Sequence, residues 1–187
     1  VPLTMGMVIK TSMVIKKANY QLNGYDSLNR PVILIEGNNI TVDFNGAGMD
    51  GAANKSYPNE FTGLAVLVKG NNIVIRNAVI KGYKVALMAT GCNALTLRDC
   101  NFSYNYRQKL HSNRIRESVS DWMSYHHNEK GEWLRYGAGI YLENCSRTVI
   151  DHNTVINGKG ALMMTKCNEG TITNNDCSVN SGLGIGM

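Results

Sequence analysis

Residues 70–82 read GNNIVIRNAVIKG, and the reading of this phrase decides the fold because altered copies of it recur along the chain. GNNITVDFNG stands at 37–46, ENCSRTVIDHNTVING at 143–158 and KCNEGTITNNDCSVNSG at 166–182. Aligning the pairs Ile40/Val42, Ile73/Ile75, Leu95/Leu97, Thr148/Ile150 and Gly170/Ile172 spaces their second members by 33, 22, 53 and 22 residues. Those spacings are 22+11, 22, 22+31 and 22, so a unit of 22 residues recurs with two insertions. A fixed period of this size is the mark of a solenoid. The shorter insertion falls near Ala53 to Gly63, the longer near Tyr106 to Tyr136.

Two further columns agree with that register. Five residues before each second apolar position stand Gly37, Gly70, Cys92, Cys145 and Cys167, followed by Asn38, Asn71, Asn93, Ser146 and Asn168. Gly and Asn tolerate left-handed backbone angles, so this pair predicts a tight corner once per repeat, with stacked Asn amides satisfied inside the solenoid. Between corners, Ile40-Thr41-Val42-Asp43-Phe44 and Leu95-Thr96-Leu97-Arg98 alternate in polarity and are rich in strand formers. Short parallel strands stacked about 4.8 Å apart give an all-β parallel β-helix with coils of about 22 residues. No helical period of 10 or more residues lies outside the long insertion, which excludes a doubly wound α/β sheet. Residues 1–30, with Val14-Ile15, supply one irregular N-terminal coil, and the whole chain reads as a single β-helix domain.

These phrases resemble the right-handed parallel β-helix repeats of the pectate-lyase-like superfamily over about residues 30 to 187. That group includes secreted polysaccharide lyases, polysaccharide hydrolases, C5-epimerases and a periplasmic copper-site maturation factor of denitrifiers. The resemblance implies right-handedness and a secreted, periplasmic or cell-surface carbohydrate-active protein. One scaffold of this kind carries many chemistries, so the activity must come from the site. Ala161-Leu162-Met163-Met164 opens one coil and Leu183 to Met187 the next, which marks the chain as the N-terminal part of a longer solenoid.

The 187 residues carry 19 Lys+Arg against 14 Asp+Glu, and this excess of five is too mild and too scattered to indicate a nucleic-acid binder. No apolar run approaches the ~18 residues of a membrane span. The five cysteines, Cys92, Cys100, Cys145, Cys167 and Cys177, lack zinc-site spacing and read as small buried thiols, Cys177 filling the core beside Ile80, Phe102 and Val155.

Candidate chemistry concentrates in the long insertion, which holds three of the four histidines, both tryptophans and a dense set of mixed charges. Loops beyond about 12 to 15 residues in compact domains tend to be functional. Tyr106, Arg107, Lys109, His111, His126 and His127 form the pool for base, acid and carboxylate neutraliser. Trp122, Tyr125, Trp133 and Tyr136 offer faces for sugar rings, although the tryptophans can equally fold the insertion back onto the helix. A short helix is expected from Ser118, with Asp121 three residues on.

A second candidate is the outward column Asp43, Arg76, Arg98, Asp151, Thr173. Two adjoining guanidiniums suit a polyuronide, whose neutralised carboxylate acidifies the α-proton for β-elimination; the plainer reading is a salt-bridge ladder, Asp43 with Arg76 and Asp151 with Arg98. A glycoside hydrolase would need two nearby carboxyls from Asp43, Asp99, Asp121, Asp151, Glu129 and Glu132, which the repeat does not pair. Asp99 with Asp151 is a slight hint of calcium, and otherwise no cofactor is called for. The expected partner is an acidic polysaccharide, cleaved by β-elimination; the alternatives are hydrolysis, or a non-catalytic surface module.

Overall fold

The computed structural model describes residues 1–121, 128 and 131–187. The chain winds as an all-β parallel β-helix. Its first coil carries β1 (Met7–Ile9), β2 (Met13–Val14) and β3 (Asn19–Gln21). The second has β4 (Pro31–Asp43), which bends across two faces, and β5 (Gly48–Asp50); the third has β6 (Leu64–Arg76) and β7 (Val79–Lys81). Then come β8 (Val85–Thr90) with β9 (Thr96–Arg98), β10 (Ala138–Glu143) with β11 (Val149–Asp151), and β12 (Gly160–Thr165) with β13 (Thr171–Thr173). β14 (Ile185–Gly186) opens a seventh turn.

Every pairing is parallel, and like positions stack on three faces. On face A Ile33 pairs with Val66, Val66 with Leu87, Leu87 with Ile140, and Ile140 with Leu162. Face B stacks Val42, Ile75, Leu97, Ile150 and Ile172. Face C stacks Tyr20, Met49 and Ile80, and single bridges carry it on through Asn101, Thr154 and Asp176. Apart from the partly buried Tyr20 and Ile172 near the two ends, the inward apolar members of these stacks are almost wholly buried, and each is worth about 1.5–3 kcal/mol of apolar burial. All five cysteines are free, and Cys92, Cys100 and Cys145 are buried.

Two expectations about the corners are corrected. Asn38 and Asn71 are exposed, so their ladder runs outside the helix, with Asn71 N donating to Asn38 Oδ1 at 2.9 Å. The amide ladder of the interior lies three residues after the face B stack. There Asn153 Oδ1 accepts from Cys100 N (3.0 Å), while Asn153 Nδ2 donates to Leu97 O (2.9 Å) and Asn175 Oδ1 (3.0 Å). The left-handed residue also falls one position later than expected, at Asn39, Asn72, Ala94, Arg147 and Glu169.

Another left-handed column runs Gly82, Tyr104, Asn157, Val179. A β-branched side chain is poorly suited to φ 56°, and Val179 is 70% exposed, so it gains little packing in return. Val179→Asn should therefore stabilise the protein by about 1 kcal/mol, read as a higher urea midpoint with an unchanged m-value. A lower midpoint would show that Val179 packs usefully.

Candidate functional site

The stretch between β5 and β6 and the stretch between Ser103 and β10 both leave the helix at the corner joining face C to face A. They touch, since Arg107 N donates to Pro58 O at 3.4 Å. Two adjoining concavities, of about 460 and 710 Å³, share Pro58 and Arg107 in their walls. The first reaches Asp50, Lys81, Tyr104 and Asn157; the second reaches Tyr57, Glu60, Lys109 and Ser181. Asp50 belongs to the second coil and Ser181 to the sixth, so at ~4.8 Å per coil the groove is roughly 19 Å long.

The carboxylates in this groove are already engaged. Lys81 Nζ lies 3.2 Å from Asp50 Oδ2, and Glu60 Oε2 accepts from Ser56 N (3.0 Å) and Tyr57 N (3.1 Å). Arg107 and Lys109 form no ion pair among the described residues. Tyr57 and Tyr104, at 64% and 58% exposed, stand open in the groove walls. Cations and open phenol rings sharing one groove can hold a chain of sugar rings bearing negative charge.

Tyr106 does not line the groove. It stacks in one column with Lys84 and Lys159: Tyr106 N donates to Tyr83 O at 2.8 Å, and Lys159 N to Tyr106 O at 2.9 Å. Lys84 Nζ sits 5.3 Å from the Tyr106 ring centre, while Lys159 Nζ and the Arg135 guanidinium each sit 5.9 Å from that of Tyr136. Burial, then the neighbouring Arg135 charge, pulls the Lys84 pKa below its usual value. Burial lowers that of Lys159, opposed by Asp121, and burial with Tyr136 raises that of Tyr106. Sequence reasoning missed both lysines. The signal was present, since Lys84, Tyr106 and Lys159 are spaced by 22 and 53 residues, the intervals of the apolar stacks.

The remaining sequence candidates disperse. Asp121 accepts from His111 N and Ser112 N, so its carboxylate organises the loop. A 3-10 turn (Val119–Asp121) stands at the start of the expected helix. Trp133, in α1 (Glu132–Tyr136), is only 5% exposed and packs with Tyr141 and Met163 on the outside of face A. It therefore has no open face for a sugar, and the fold-back reading holds for it. Trp122, Tyr125, His126, His127 and Glu129 lie outside the described residues.

On face B, Arg76 Nε pairs with Asp43 Oδ2 at 3.0 Å, half of the expected ladder. Asn77 first, with Asn45 and Arg76, holds the Asp43 carboxyl below its ordinary range. The other half is corrected: Arg98 Nε pairs with its neighbour Asp99 at 3.0 Å, while Asp151 bonds His152, Thr173 and Asn174. For each of the two, the next residue along its own coil, Asp99 or His152, supplies the ion-pair partner in place of the charge on the adjacent coil. Asp99 and Asp151 thus face different groups, and among the described residues no three His, Cys, Asp or Glu side chains converge as a metal site. No helix among them is long and apolar enough to cross a membrane.

A family model described as "Right handed beta helix region" matches residues 64–187. No curated protein and no solved structure matches the chain.

Proposed function

Because the chain belongs to the right-handed β-helix family, and its repeats resemble those of carbohydrate-active proteins, we propose that it binds an acidic polysaccharide along its corner groove and cleaves it by β-elimination. The observation that carries the reading is the groove itself, whose walls hold Arg107 and Lys109, without an ion pair among the described residues, together with the open rings of Tyr57 and Tyr104. A uronate carboxylate set against Arg107 would be neutralised by a bidentate contact, which acidifies the proton on the adjacent ring carbon. A base takes that proton, the electron pair forms the ring double bond, and the glycosidic C–O bond breaks as an acid protonates the leaving oxygen. Lys109 and His111, further along the same segment, are described members of the pool from which base and acid come; Tyr106, also described, stands outside the groove. A polymeric substrate implies an extracellular, periplasmic or cell-surface setting.

Hydrolysis is less well supported, because Asp50 and Glu60 are held by Lys81 and by backbone N–H groups. The non-catalytic reading draws on Trp133 packed flat and Asp121 spent internally. Incubation with a panel of acidic and neutral polysaccharides separates the three. Ultraviolet absorbance from a new conjugated enoate, rising with new reducing ends on acidic polymers only, is the expected result. New reducing ends without absorbance would replace elimination by hydrolysis, and retention of the polymer with neither signal would leave only binding.

A further inference from the structure

We propose that Lys84, Arg135 and Lys159, with the phenols of Tyr106 and Tyr136, form an oxyanion site that takes one sulfate or phosphate group, separate from the corner groove. Three cationic side chains converge there on two phenol rings. Lys159 is 1% exposed, and its ammonium makes one hydrogen bond among the described residues, a long one of 3.4 Å to the Asp121 carbonyl oxygen. An ammonium has three protons to place, and a buried charge without an anionic partner is costly. The Asp121 carboxylate, whose charge acts on Lys159, also accepts from the backbone N–H groups of His111 and Ser112. Its charge opposes the burial penalty on Lys159, but one carboxylate does not balance the three cations gathered there.

The charge count selects the ligand. A carboxylate would offset one of three positive charges, whereas a sulfate or phosphate brings more oxygens and, as the free ion, a double charge. Phenol hydroxyls can donate to the same oxygens. Burial already disfavours the charged forms of Lys84 and Lys159, and a bound oxyanion would reverse that penalty. The ligand is either the free ion or an ester carried on a glycan. The site does not depend on the polysaccharide reading, because inorganic sulfate alone tests it.

The test is thermal unfolding and calorimetric titration of the full chain with sodium sulfate and sodium phosphate, against sodium chloride at matched ionic strength. The expected result is a saturable rise in Tm with sulfate or phosphate and none with chloride. Lys159→Met should melt higher than the parent without added anion, because an apolar side chain of similar volume replaces a buried charge, and should bind the anion at least tenfold more weakly. Lys84→Met gives the second reading should Lys159→Met fold poorly, and Lys10→Met, which removes a surface partner of Glu36, should keep full binding. Displacement of bound sulfate by a sulfated oligosaccharide but not by its desulfated form identifies the ester as the source; binding of the inorganic ion alone identifies the free anion. A shift equal to that in chloride, or one preserved in both Lys159→Met and Lys84→Met, would overturn the proposal.

Discussion

Gly70→Ala should cost about 4 kcal/mol or more, a large share of the roughly 5–15 kcal/mol that holds a domain folded. Gly70 pairs with Gly37 on the preceding coil, at φ 124° and 141° respectively. A side chain at such an angle costs of order 1–3 kcal/mol by itself. A β-carbon at Gly70 would also fall on the carbonyl oxygen of Gly37, which is backbone and cannot step aside. The coils would have to separate where β4 and β6 meet, and that pairing is the longest register in the helix. Gly91 provides the comparison, since its φ is 65° and nothing lies within 4 Å of an added β-carbon. Gly91→Ala should lose only about 1 kcal/mol. Urea denaturation of the two variants checks this, and equal losses would show that the coils are not packed as closely as described.

The second large effect is on activity. Arg107→Ala should lower kcat/KM on the acidic polymer by about a hundredfold or more, the usual consequence of removing a charged donor aimed at developing charge. Arg107→Lys should recover only part of it, because an ammonium cannot make the paired contact of a guanidinium. Arg98→Ala should change the rate by no more than a fewfold, as its guanidinium is already tied to Asp99. The reverse order, with Arg98→Ala the damaging change, would move the substrate to face B.

The register was legible because it is written in residue types that recur. Val42, Ile75, Leu97 and Ile150 must all be apolar to fill the same slot, and Gly37, Gly70 and Cys92 must all be small at the same corner. The phase of the left-handed residue was misread by one position because Gly and Asn both tolerate that angle. The later coils place Ala94, Arg147 and Glu169 there, residues that carry no such signature. The interior amide ladder escaped notice for the opposite reason. Ala78 and Cys100 occupy the slots that Asn153 and Asn175 fill later, so the column does not look like a column of amides.

The site was legible only as a region. Arg107 and Lys109 were singled out by composition, and both stand in the groove. Tyr57 was not, because it comes from the shorter insertion, and only folding brings the two insertions to one corner. Trp133 shows the limit from the other side, since an aromatic residue in a loop has the same appearance in sequence whether it faces a ligand or the protein's own apolar face.

The most direct measurement is a crystal structure of the protein with an acidic oligosaccharide of four or five residues. The account predicts sugar density along the corner between Tyr104 and Tyr57, with a carboxylate on Arg107. Density along the Arg76 and Arg98 column of face B, with the corner groove left empty, would contradict it.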